Sequence, residues 1–252
     1  MIVTHPEPPA AETDTRSVER LVLRDVDLPA GRQHDTRLSG VNLSLGVGEM
    51  VIVQSEPERP RLPLADAIMG LTDTAGGSIA VDDSSWDDLT PARAARLRSQ
   101  IGRVFDHDRW LSGLTLEENV FLAARYHHQM REETMVVEAV RLAESFGLAG
   151  LPTSLPSRSP VELRQKVAWI RALLGPRRLL ILEQPLGGVS AQDARALGRS
   201  LGQFRAQGAA VIWITDVPVP IDWPGMLPDY LARVTGTELA VEPGMLPRGG
   251  DP

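Results

Sequence analysis

Residues 51–70, VIVQSEPERPRLPLADAIMG, are the first place where the chain's chemistry has to be sought. The two ends read as a short buried strand and a helix, the flanks that carry a phosphate-binding loop. In such a loop glycines leave backbone N–H groups free to wrap phosphate, a lysine reaches the terminal phosphates and a hydroxyl holds magnesium. The middle is of another kind. Pro57 and Pro60 remove N–H donors, and Glu56 and Glu58 put negative charge where a phosphate would sit. The next polar pair, Glu183–Gln184, follows the predicted strand RRLLIL. No spacing among the five histidines suggests a metal site, and His107, His127 and His128 read as surface residues. The chain has no cysteine, which excludes disulfides, a thiol nucleophile and a zinc-cysteine centre.

The elements that must hold these residues follow from periodicity. ERLVLRDVDL and TRLSGVNLSLGVGEMVIV alternate apolar and polar residues and read as strands. LADAIMGL is a predicted helix, GGSIAVDD a strand after a Gly-Gly turn, and LTPARAARLRSQ a helix with Thr90 as cap and Pro91 in the first position. IGRVF is a predicted buried strand. Helices are predicted over about 116–130 and 132–146, the second stopped at Gly147. LPTSLPSRSP reads as an extended linker before a helix over about 160–174. RRLLIL is a strand, SAQDARALGRSLGQFRAQG a helix capped by Ser190 and ended by Gly208, and AAVIWIT the last strong strand. A weaker strand pair follows near 230–242. Strands alternating with helices indicate a mainly parallel sheet with crossover helices. The helix-only block over roughly 111–175 predicts a helical subdomain inserted into that α/β core.

Composition narrows the partners. The 252 residues carry a net charge of −7, and Lys166 is the only lysine among bases that are otherwise arginine. An acidic balance with no basic run argues against nucleic acid or a polybasic membrane anchor. Residues 1–17 are polar and proline-rich and read as a disordered tail without the pattern of a signal peptide. Residues 243–252 read as a loose tail, leaving 18–242 as one domain. No apolar run approaches the ~20 residues that span a bilayer. A cytoplasmic chain without direct membrane insertion is expected, reaching the membrane face only through partners.

The order of these pieces resembles the ATP-binding-cassette (ABC) ATPase that powers membrane transporters. SGVNLSLGVGEMVIV is similar to the family's approach to its phosphate loop, and GLTDTAGGSIAVDD to the turn after the first helix. IGRVFDHDRWLSGLTLEENV matches the glutamine-loop segment, RQKVAWIRALL the helix after the signature motif, RRLLILEQPLGGVS the second acidic motif and GAAVIWITD the switch-histidine strand. The resemblance covers residues ~20–242. It implies a P-loop NTPase-like α/β fold: a parallel sheet core, an N-terminal antiparallel β subdomain and an inserted helical subdomain.

At the chemical positions the chain departs from the family pattern. In the register set by AIMGL, Arg61 stands where the lysine belongs and Leu62 where the magnesium hydroxyl belongs. The signature motif becomes Ser159-Pro160-Val161-Glu162-Leu163. That spacing predicts a capping box, with Ser159 as cap, Pro160 in the first helical position and Glu162 folding back. Glu183 and Gln184 replace the family's Asp and Glu, so the group that polarises water is an amide. Asp106 takes the glutamine-loop position and Asp216 that of the switch histidine. VDLPAGRQHD contains no aromatic to stack on adenine. The resemblance then implies a non-catalytic subunit, with neither ATP nor magnesium bound. It would dock on a transmembrane permease, on an active ATPase subunit or on both, Trp110 and Leu111 contributing to an apolar groove for the permease with Leu114 and Leu116 beneath. The alternatives are a stand-alone regulatory or scaffold pseudo-ATPase, and a residual ATPase using Arg61 and Glu183.

Overall fold

The structure, a computed structural model, describes residues 19–31, 36–56, 61–106, 109–128, 130–219, 221 and 223–244. Pro57, Glu58, Pro60 and His107 lie outside the described residues. Two sheets organise the chain. The first is antiparallel and contains β1 (Glu19–Leu28), β2 (Leu38–Gly46), β4 (Gly76–Val81) and β5 (Ser84–Ser85), in the order β2-β1-β4-β5. The second contains β3 (Met50–Gln54), β6 (Ile101–Val104), β7 (Leu179–Glu183), β8 (Ala210–Thr215), β9 (Tyr230–Thr235) and β10 (Glu238–Pro243). Its order is β10-β9-β3-β8-β7-β6, parallel throughout except for the closing β9–β10 hairpin.

The central parallel strands β3, β7 and β8 are apolar along most of their length because both their faces are covered. Successive side chains alternate between two cores, as the period of a strand requires. Met50, Ile52, Leu180, Leu182, Val211 and Trp213 enter one core, with the helices. Val51, Val53, Leu179, Ile181, Ala210 and Ile212 enter the other, between the two sheets. Three helices intervene between β6 and β7: α3 (Leu116–Tyr126), α4 (Glu132–Ser145) and α5 (Val161–Leu173). Their inner faces, from Leu116 through Met135 to Trp169, share the first core with the sheet. Fully buried, Trp169 packs edge-on against Phe146 with ring centroids 5.1 Å apart and donates its indole N–H to Pro185 O.

The predicted caps of α2 (Pro91–Ser99) and α6 (Ala191–Ala206) form as the sequence indicates: Thr90 accepts from the Arg93 N–H and Ser190 from the Asp193 N–H. Other boundaries differ. Helix α1 is five residues, Leu64–Ile68, because the chain turns at Gly70, whose φ is +61°. A Cβ there would lie 2.5 Å from the Trp86 ring, so only glycine fits. Helix α3 stops at Tyr126, short of 130. A 3₁₀ turn, Pro156–Arg158, interrupts the linker predicted as extended. Gly102 lets β6 lie against the backbone of α5, where a Cβ would come 2.0 Å from Ala172 O. Among the described residues, no helix is long and apolar enough to cross a membrane.

Candidate functional site: the carboxyl ends of the parallel strands

Open parallel sheets place ligands at the carboxyl ends of their strands. Here β3 ends in Gln54 and Ser55, β6 leads to Phe105 and Asp106, β7 ends in Glu183 and Gln184, and β8 leads to Asp216. Ser55 is buried and its N–H donates to Thr215 O at 2.9 Å, continuing the strand pairing. Arg61, with no ion pair among the described residues, is exposed, whereas Leu62 is buried in the core between the sheets. Leu62, which the resemblance aligns with the magnesium hydroxyl, is therefore packing.

A buried arginine dominates this end of the sheet. Arg103, in the four-residue strand β6, donates Nε to Glu183 Oε2 at 2.7 Å and Nη1 to Asp66 Oδ1 on α1. Its guanidinium also lies over the Phe105 ring, 4.5 Å from the centroid. Burial works against its charge, but Glu183 and Asp66 outweigh that and raise its pKa. Burial raises the Glu183 pKa despite Arg103, with Asp66 and Asp106 adding like charge. Glu183 is thus an ion-pair partner rather than a free carboxylate. Gln184 has φ +45°; its N–H donates to Ile214 O, and its side-chain oxygen accepts from the Thr215 hydroxyl at 3.2 Å. Asp216 sits half-buried in the bend after β8. Among the described residues, no group of three His, Asp or Glu side chains is placed to hold a metal ion.

The start of α5 corrects the predicted capping box. Pro160 is the N-cap, not the first helical residue, and no side chain caps it. The Ser159 hydroxyl donates to Leu155 O at 2.9 Å and meets Ser154 Oγ at 2.8 Å, while its N–H is taken by Pro156 O in the 3₁₀ turn. Glu162 turns forward to Lys166 Nζ, 3.0 Å away, and Lys166 also binds Asp193 of α6 at 2.7 Å. The N-cap backbone that Glu162 was expected to reach has no N–H, because it belongs to proline.

Trp110, Leu111 and Leu114 lie before α3. Trp110 is half-buried under the Arg171 guanidinium, 4.3 Å from its ring centroid, Leu111 is exposed, Leu114 is half-buried and Leu116 is core. Buried Asn119 shapes this turn, accepting from the Leu111 N–H and donating to the carbonyls of Leu111, Leu114 and Thr115. A shallow cavity of about 270 Å³ beside Trp110 is lined by Ser112, Pro156, Ser157 and Arg164, a more polar set than the expected groove.

The sequence reading missed Arg103, Asp66, Asn119 and the Lys166–Asp193 link. For Arg103 a signal was present: a charged residue inside a buried strand must have a partner.

With this geometry in hand, the comparisons with known proteins converge. Residues 63–187 match the ABC transporter family. The chain is 31% identical over 184 residues to a macrolide export ATP-binding/permease protein MacB of Rhodopirellula baltica, covering 71% of this chain and 26% of that protein. It is 28% identical over 180 residues to the MacB of Mannheimia succiniciproducens, covering 71% and 28%. With the MacB of Escherichia coli K12 it shares 26% identity over 201 residues, covering 79% and 31%. The chain thus spans less than a third of the length of these relatives. Among solved structures it superposes with TM-score 0.75 on an ATP-binding cassette dimer in a post-hydrolysis state with ADP and Pi, at 21% identity, covering 88% of this chain and 98% of that one. An ATP-binding subunit of an ABC transporter gives the same score and identity, covering 88% and 89%. The chain belongs to the ABC transporter ATPase family and has its mixed α/β fold.

Proposed function

We propose that this chain is a non-catalytic ABC ATPase-like component of a membrane transporter, which keeps the cassette fold for its surfaces and binds no Mg-ATP. The observation that carries this reading is the Arg103 guanidinium held between Asp66 and Glu183. It neutralises the carboxylate that the family resemblance assigns to magnesium, so a cation already stands at that group. The donor set does not suit the missing nucleotide: Arg61 is exposed, Leu62 is core and Gln184 has no basic oxygen. The relatives' description as ATP-binding/permease proteins supports a permease component as partner. In this reading the surface around Trp110, Leu111 and Leu114 meets the permease, an active cassette is a further partner, and the chain works at the cytoplasmic face of the membrane.

Calorimetric titration with Mg-ATP tests the reading. No binding is expected up to ~1 mM, equivalent to about −4 kcal/mol. Arg61→Lys alone should not restore it, since Leu62 remains in the core. Saturable binding at or below that concentration, or ATP turnover that falls when Glu183 is replaced, would overturn the reading.

A further inference from the structure

At the opposite end of the sheet, beside the start of β7, lies a second cavity of about 550 Å³. That is within the size range of small-ligand sites, roughly 300–1,000 Å³. Arg141 of α4 and Arg177 and Arg178 of the α5–β7 turn line it, with Glu138 the one carboxylate among the lining residues. On a chain of net charge −7 this is a local excess of positive charge. Gln203 and Phe204 of α6 supply an amide and an apolar wall.

Arg177 is the unusual member. It donates Nη1 to Ser99 O at 2.6 Å and Nη2 to Leu174 O, so the carbonyl ends of α2 and α5 are tied by one side chain. Its Nε is shielded from solvent and has no acceptor. It makes no ion pair among the described residues; Glu138 acts on it only at longer range and instead accepts from the Gly175 N–H at 3.4 Å. Burial lowers its pKa to about 10, Glu138 offsetting only part of that. Tying two carbonyls needs donors but not a charge, and a cation largely shielded from water without a direct counter-ion is unfavourable. Arg141 is exposed on the rim without an ion pair among the described residues, and Arg178 shares Asp82 with Arg20.

We propose that this cavity binds a small organic or inorganic oxyanion, a carboxylate or phosphate group received by Arg141 and Arg178 and balancing the charge of Arg177. Charge-assisted, forked hydrogen bonds from arginine suit either group. The site is separate from the nucleotide end of the sheet and does not rest on whether ATP binds there.

Calorimetric titration of the whole chain with citrate, and separately with inorganic phosphate, at fixed ionic strength tests the proposal. Saturable one-to-one binding of at least one probe is expected. Citrate alone would assign a carboxylate ligand and phosphate alone a phosphate ligand. Arg141→Gln should weaken binding about tenfold, the scale of one charge-assisted hydrogen bond, and Glu138→Gln should strengthen it. Both positions leave the Arg177 carbonyl bonds intact, so the test survives if Arg177→Met fails to fold. No binding of either probe up to ~10 mM, weaker than about −3 kcal/mol, or affinities unchanged in Arg141→Gln, would overturn it.

Discussion

Helices α3 and α5 begin with the same spacing of residue types, Thr115-Leu116-Glu117-Glu118 and Ser159-Pro160-Val161-Glu162, and only the first becomes a capping box. At α3 the Thr115 hydroxyl accepts from the Glu118 N–H at 3.2 Å, and Glu118 accepts from the Thr115 N–H at 2.7 Å. At α5 the Ser159 N–H and hydroxyl are both spent on the preceding 3₁₀ turn, and Glu162 has a charged partner one turn on. A reciprocal box needs a cap residue whose two groups are uncommitted. Spacing alone cannot report that, because the competing acceptors, Leu155 O and Pro156 O, come from the segment before the motif.

The largest effect bearing on this contrast is expected at Lys166, which ties α5 to α6. Lys166→Met should cost about 2 kcal/mol in urea denaturation, since it strands a partly buried Asp193. A loss within ~0.5 kcal/mol, the range of ordinary surface changes, would mean that the link is not what distinguishes α5. Thr115→Ala should cost about 1 kcal/mol, the usual value of a lost cap. A double-mutant cycle should then give coupling of about 0.5 kcal/mol between Thr115 and Glu118, and none beyond ~0.3 kcal/mol between Ser159 and Glu162. Equal couplings would erase the contrast.

The smallest effect is on pH dependence. Hydrogen bonds from the Thr115 backbone and hydroxyl lower the Glu118 pKa. Partial burial raises that of Asp193, but the bonds from Lys166 and Ser190 prevail and leave it lowered. Depressed carboxylates stabilise the fold above their unfolded values, about 4, and that share is lost as pH falls through the folded values. NMR titration of Thr115→Ala should move the Glu118 midpoint up while leaving Asp193 in place.

Much of the fold was legible in the sequence, for reasons that these elements make concrete. The runs MVIV, LLIL and AVIWI are apolar throughout because each strand faces two cores, and this signal needs no knowledge of tertiary structure. The Thr90, Ser190 and Gly208 boundaries were legible because their partners lie within one turn. The short α1 was not, since its end is set by Trp86, sixteen residues beyond Gly70. At the candidate site the replaced residue types could be read directly, but the fate of Glu183 could not. The fold brings Arg103, eighty positions away, against it.

The Arg103 triad also constrains which sequence changes the molecule tolerates. Removing Arg103 leaves Asp66 and Glu183 as neighbouring half-buried carboxylates, and removing either acid leaves a buried guanidinium short of countercharge. Each single step breaks a largely buried pair, at a cost on the order of 3–5 kcal/mol, a large share of the roughly 5–15 kcal/mol that holds a domain folded. Exchanging the three residues together is therefore expected to cost less than exchanging any one of them alone. A side-chain contact of 2.7 Å thus narrows the single substitutions that the fold accepts at this end of the sheet.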